Sequence, residues 1–209
     1  MANVLLNGDV TGVTYAANTW GELLAMLDEQ CSASGDVVTG VRLDELEVAA
    51  FREPEAMAQP LPAGTEVFVE TARPADLILQ TLDEADAGAQ AIVDAGIALA
   101  GLYRAPDVSA ANHALPAFAE NLGSLMMVTD AVARGTDVDL SGIYEGDLSA
   151  LQMINNLIAC TDVLITAQLA GDWTKVAHVI DFDIVQTVQR WPHVLQAIRE
   201  AAPMLRDVA

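Results

Sequence analysis

Apolar positions recur along the chain with two different periods, and the change falls near residue 73. Before it, short alternating runs predict strands around one helix. Asn7-Gly8 separates Val4-Leu5-Leu6 from Val10–Tyr15, and Asn-Gly accepts positive φ at both central positions of a type I′ turn, which predicts a hairpin. Thr19-x-x-Glu22 has the spacing of a capping box, in which hydroxyl and carboxylate each satisfy a free first-turn N–H. The helix it opens runs through Leu23, Leu24, Met26 and Leu27 to about Gln30, and Ser34-Gly35 ends it. Val37–Val41 is a β-branched strand and Val48–Phe51 a second candidate; a turn at Leu61–Gly64 leads into a last strand over Glu66–Thr71.

Beyond Pro74 the period is helical. Ile78, Leu82, Ala85, Ala89, Ile92, Gly96, Leu99 and Tyr103 alternate spacings of four and three, the mark of a packed helix seam. Pro74 suits the first helical position, where a missing N–H costs nothing, and the small residues on the seam allow a close neighbour. Leu115, Phe118, Leu122, Leu125, Thr129 and Val132 repeat the pattern, with Pro116 near that helix's start. Residues Leu148–Leu169 are apolar on most faces, with Leu151, Ile154, Ile158 and Ile165 on one stripe and Leu157, Cys160 and Leu164 beside it. A helix apolar all round is expected at the centre of its bundle. Ala177, Ile180, Ile184, Val188, Trp191, Leu195, Ile198, Ala202 and Leu205 mark a long final helix that Pro192 should bend or interrupt. The connections span Arg104–Ala111, Arg134–Glu145 and Ala170–Asp172, with Asp172 placed as an N-cap. Such short links imply antiparallel neighbours, hence an up-down four-helix bundle.

The expected fold class is therefore α+β, with one domain over residues 1–72 and a helical bundle over residues 73–209. The order hairpin, helix, strand, short irregular piece and final strand resembles the β-grasp domains of ubiquitin-like and sulfur-carrier proteins. That resemblance implies a fold and no activity. Modifiers of that family end in a free Gly-Gly, whereas the last strand here continues through Arg73-Pro74, which disfavours conjugation chemistry.

Composition narrows the partners. Of 209 residues, 30 are Asp or Glu and 9 are Lys or Arg, a formal charge of −21, while 53% are apolar. High hydrophobicity excludes intrinsic disorder. Lys175 is the single lysine, so clustered bases that would meet nucleic acid or an anionic membrane are missing, and neither is expected as a partner. Cys31 and Cys160 form no C-x-x-C pair and suit a reducing compartment. The first nine residues lack a basic stretch and do not read as a signal peptide; the most apolar run, Ala95–Tyr103, is half a bilayer span, so no transmembrane helix and a cytoplasmic location are expected.

Three places have the makings of chemistry, and each has a plainer reading. Asp137, Asp139 and Ser141, followed by Gly142, imitate the opening of a calcium loop, but Leu148 stands where the bidentate Glu belongs, and a turn with solvated aspartates fits equally. His178 and Asp181 lie one helical turn apart with Asp183 beside them; a metal or proton-transfer site needs further ligands from another helix, and no Glu-x-x-His motif supplies them. Cys31 is expected after a helix's last turn, where the dipole opposes a thiolate, and Cys160 lies in the most apolar helix. Nothing places His113 or His193 beside either thiol, and no nucleophile elbow or phosphate loop is present. Trp173 and Trp191 are large anchors for a core or an interface, with the core favoured, and Trp20 is expected against the first helix or a domain contact.

Ile143-Tyr144-Glu145-Gly146, an apolar helix, the run Asp172–Ile184 and Trp191 are similar to the C-terminal pattern of uncharacterised bacterial proteins in which a small sheet precedes helices. The resemblance implies an architecture and no mechanism. The expected function is a non-catalytic, adaptor-type protein that binds a protein partner with a basic surface, with no catalytic residue, cofactor or metal assigned. Surplus apolar stripe would point to a homodimer. Two alternatives stay open: an export-type chaperone holding an amphipathic client helix, and a metal-binding or enzymatic protein using His178, Asp181 and Asp183.

Overall fold

The computed structural model describes residues 2–44, 46–48, 50–62, 64–202 and 205, with the backbone alone for residues 10–14. Ala49 of the expected Val48–Phe51 strand and Ala63 of the expected turn lie outside the described residues, as do Pro203 and Met204 in the expected final helix. The fold is α+β. It divides into two compact units, Met1–Leu77 and Ile78–Ala209.

In the first unit the elements are β1 (Ala2–Leu6), β2 (Asp9–Tyr15), α1 (Trp20–Ser34), β3 (Val37–Leu43), β4 (Leu46–Glu47), α2 (Pro54–Met57) and β5 (Glu66–Ala72). Asn7 and Gly8 join β1 to β2 at φ 50° and 90°, the backbone that this dipeptide was expected to adopt. The Asn7 side chain also donates to the Thr71 hydroxyl at 3.0 Å and accepts the Thr71 N–H at 2.9 Å, tying the turn to β5. Strand order is β2-β1-β5-β3-β4; β1 and β5 run parallel and the other pairs antiparallel. A parallel pair needs a long crossover, and α1 lies within it. Thr19 accepts the Glu22 N–H at 3.2 Å, but Glu22 reaches back one residue further than the capping box requires, accepting the Asn18 N–H at 2.7 Å. α1 continues four residues past the expected Gln30 and ends in a left-handed Gly35. Period-two alternation turns Val67 and Val69 inward between exposed Glu66 and Glu70, and their core holds Trp20, Leu23, Leu24, Leu27, Val38 and Val41. The expected strand at Val48–Phe51 is replaced by a two-residue strand just before it, β4, and a turn leading into the unanticipated α2.

The second unit continues α3 (Pro74–Tyr103) into α4 (Ser109–Gly135), β6 (Tyr144–Glu145), β7 (Leu148–Ser149), α5 (Ala150–Leu169) and α6 (Trp173–His178). A π-helical turn (Val179–Ile184), α7 (Val185–Val188) and α8 (Trp191–Ala201) follow. The seams of α3 and α4 are buried throughout, apart from half-buried Ile78. Pro116 sits inside α4 instead of near its start, because the helix begins at Ser109. The expected helix start at Leu148 is corrected by a small hairpin: Ser149 leaves β7 as the N-cap of α5, accepting the Gln152 N–H while the Gln152 side chain accepts the Ser149 N–H.

The final helix is interrupted at Gln189–Arg190, as Pro192 was expected to cause, with Pro192 at an early position of a new helix; the widening over Val179–Ile184 was not expected. Ile180 and Ile184 of the wide turn and Val188 of α7 are all buried, at the four-residue spacing that keeps side chains on one helix face.

Two contacts set how closely the helices approach. Gly96 has no room for a side chain, since a Cβ there would stand 2.6 Å from a Val185 methyl and 3.2 Å from the Phe118 ring. Trp191, wholly buried, donates its indole N–H to the Thr129 hydroxyl at 2.9 Å, and that hydroxyl donates to the Leu125 carbonyl at 2.8 Å. Gly96→Ala is expected to lower the unfolding free energy by about 1–3 kcal/mol through overpacking. Gly123→Ala, with nothing within 4 Å of the new methyl, is expected to raise it by about 0.5–1 kcal/mol through helix propensity alone. Urea denaturation of the two variants measures both signs.

Candidate functional site

The three residues with the most suggestive spacing each meet a different neighbour. Asp181 turns toward the end of α3 and accepts from the Arg104 guanidinium at 2.5 Å. His178 stacks on Phe182 with ring centroids 4.9 Å apart. Asp183 lines a different place, a groove of about 430 Å³ between α5 and the wide turn, with Cys160, Phe182 and Arg190. Among the described residues no three His, Cys, Asp or Glu side chains converge as a metal would require. A widened turn often marks function, but here its work is visible as packing and one ion pair.

Both thiols stand above the usual cysteine range. Burial is the main cause for each, joined at Cys31 by the charges of Asp36 and Asp28 and at Cys160 by Asp183. Cys31 lies within α1 and in its core, not beyond the helix as the sequence suggested. A thiol held protonated is a poor nucleophile.

The calcium-like segment forms a tight turn. Asp139 accepts the Ser141 N–H at 2.9 Å and its hydroxyl at 2.6 Å, which hold the carboxyl below the usual aspartate range. Asp137 adopts φ 56° and donates its N–H to the Arg134 carbonyl at the end of α4. The oxygens of Asp139 and Ser141 thus serve each other, and the chain proceeds into β6, where a calcium loop would still be supplying ligands.

The tryptophans divide as follows. Trp191 and Trp20 are buried, the latter donating to the Phe51 carbonyl at 2.7 Å. Trp173 is half-buried and stacks on Tyr103, centroids 5.8 Å apart. Tyr103 in turn donates to Asn112 at 2.9 Å, and its burial pushes the phenol up.

The feature that sequence periodicity misplaced is on α5. Its buried face is Ala150, Met153, Leu157, Leu164 and Ala167. Of the stripe read along this helix, Leu151 is 44% exposed, Ile158 48% and Ile165 56%, while Ile154 is half-buried; Leu169, one turn further on, is 85% exposed. Both stripes are apolar, so spacing alone could not say which would meet a neighbour. A second apolar depression of about 360 Å³ lies between α3 and α4, floored by Ala85, Gly88 and Ala91. α3 and α5 are each long and apolar enough, by length and composition alone, to cross a membrane, a test that the core helix of a bundle passes as well. Of the α5 window, 28% is buried inside the fold.

No family model, curated protein or solved structure matches the chain.

Two outcomes check the local electrostatics. Asp183→Asn removes a negative charge from beside Cys160, so its thiol pKa falls and its reaction with a disulfide reagent near neutral pH speeds up, by about twofold or more. Ser141→Ala removes one donor from Asp139, whose titration, followed by NMR, moves upward toward the ordinary aspartate range.

Proposed function

We propose that the chain is a non-catalytic protein-binding module of adaptor type, in which a β-grasp-like domain at residues 1–72 carries an up-down helical bundle at residues 73–209. The observation that carries this function is the outward apolar stripe of α5. Isolated exposed apolar residues are ordinary, but a continuous row along one helix face is a surface made to be covered. Supporting the β-grasp assignment are the parallel β1/β5 pair and the helix lying between β2 and β3. The adaptor assignment also draws on the polar side chains. Asp181, His178, Asp139 and Ser141 each have a local partner, which leaves few groups to share a reacting molecule.

A basic partner surface fits the charge of −21 elsewhere on the molecule, by steering the encounter. The two free cysteines accord with a reducing compartment such as the cytoplasm. The chaperone alternative has its own supporting feature, the small-residue depression between α3 and α4, where an apolar client helix would approach closely.

A photo-reactive phenylalanine analogue at position 158 of the full chain, irradiated in the native host, tests the proposal. The expected product is a discrete protein adduct, identified by mass spectrometry, whose purified partner rebinds the wild-type chain and is lost with Ile165→Lys. Adducts to lipid alone, or none, would overturn it.

A further inference from the structure

We infer that the α5 face takes an amphipathic helix of a different protein, one that carries a lysine or arginine within its apolar row, opposite Asp162. The inference rests on the protein-binding function proposed above and names the chemistry of its occupant. Leu151, Asn155, Ile158, Asp162, Ile165 and Leu169 follow one another at spacings of 4, 3, 4, 3 and 4, and all six are exposed. That is the rhythm of a seam that a neighbouring helix covers. Four of its members are large and aliphatic, and two, Asn155 and Asp162, are polar. Asp162 lies one turn after Ile158 and one turn before Ile165, so a helix that covers both isoleucines also covers the carboxylate.

That carboxylate selects the occupant, because covering it without a counter-charge is costly. The twenty residues of α5 hold no base to supply one. Beside the seam, the wide turn brings a second acid, Asp183, into the groove, along with Arg190 of the segment that follows. Bilayer hydrocarbon would strand Asp162, and an anionic membrane surface would add repulsion. A second copy set α5 against α5 would strand two such carboxylates, and the charge of −21 on each opposes the approach. An ammonium or guanidinium in the partner's row meets Asp162 directly. A pair of this kind within an apolar seam fixes register and partner more than it adds affinity. Asn155, seven residues earlier, calls for a second polar group one heptad away, and that spacing holds for either direction of the covering helix.

Size sets the strength. A 20-residue helix is about 30 Å long and about 10 Å wide, so its face offers a footprint on the order of 300 Å². Ala159 and Val163 follow Ile158 and Asp162 in the chain and, with exposed Phe182, line the groove along the seam's flank, which gives the covering helix a second wall. The contact still belongs to the small, transient class, in which one charge pair decides which helix is accepted.

A library of helical peptides about three heptads long, apolar at the seam positions and randomised at the central one, tests the inference. It is displayed in many copies, so that weak binders are retained, and selected on the full chain. Lys and Arg are expected at the central position, enriched more than about tenfold over Leu and Glu, with binding lost in Ile165→Lys. Against Asp162→Lys the preference is expected to invert to Asp and Glu. Asp162 and Ile165 are exposed, so unchanged circular dichroism and thermal midpoint will show that the variants fold. Leucine preferred by the wild type, a base preferred equally by Asp162→Lys, or no binder sensitive to Ile165→Lys would each overturn the inference. The position-158 adduct separates its failure from that of the reading beneath it. A protein partner that binds Asp162→Asn as tightly as the wild type, or a second copy of this chain, removes the opposing base and leaves the binding function standing. Lipid adducts alone, or none, remove both.

Discussion

An amphipathic helix loses only as much apolar surface as its neighbours cover, and α5 has more than its neighbours cover. On α3 and α4 one seam each is spent in the core, and the large apolar residues left exposed, Ile97, Leu102 and Met127, stand singly. On α5 two stripes run side by side. Met153, Leu157 and Leu164 face inward and Leu151, Ile158 and Ile165 do not. Full burial of a large aliphatic side chain contributes about 1.5–3 kcal/mol, and each of these, about half exposed, forgoes part of it. A row of them is therefore a standing driving force for association, and the proposed role of the molecule follows from that imbalance.

The covered side is held in register by few contacts of high specificity. Trp191 brings a polar N–H into a fully buried position, where an unmet donor would cost about 1–3 kcal/mol. Thr129 accepts it and passes its own proton to Leu125, so α8 can meet α4 at one height only. Gly96 lets α7 approach α3 to contact distance. Arg104 reaches across to Asp181, and Gln168 at the end of α5 donates to Asn112 near the start of α4 at 3.4 Å. His193 at the start of α8 lies 3.2 Å from Glu145 of β6. Ile180 and Ile184 of the widened turn and Val188 of α7 are buried as well, so the segment fills the core before Pro192 restarts the helix.

These details explain which parts of the molecule could be read from residue order. The seams through Leu82 and Leu99, through Phe118 and Leu122, and through Trp191 and Ile198 were legible, because one apolar face opposite a polar one leaves one way to fold inward. The hairpin at Asn7-Gly8 was legible too, since few other dipeptides accept that backbone. α5 was not, because periodicity names residues that share a face without naming the face that meets a neighbour. Nor were the partners of Asp181 and Trp191, which lie 77 and 62 residues away. The spacing His178-x-x-Asp181 names two residues one turn apart but not their neighbours, which are Phe182 for one and Arg104 for the other. The short pieces β4, α2, β6 and β7 depend on backbone pairing and turns more than on any apolar period.

Charge and apolarity then act together as a filter. Arg42, Arg52, Arg73, Arg104, Arg134 and Arg199 each lie beside a carboxylate, so most of the nine bases are already engaged within the fold. Exposed pairs of this kind contribute about 0–1 kcal/mol each, too little to be their main consequence. Their larger effect is on the surplus: the acids left over cannot be neutralised from within, and they make most of the surface repel any acidic body, another copy included. Repulsion over most of a surface and attraction along one largely apolar strip give selectivity without a strong interface, because affinity for the wrong approach is lowered while the right one needs no added contacts. A footprint as small as one helix face would be indiscriminate on a neutral protein. On one carrying −21, it can specify where contact occurs.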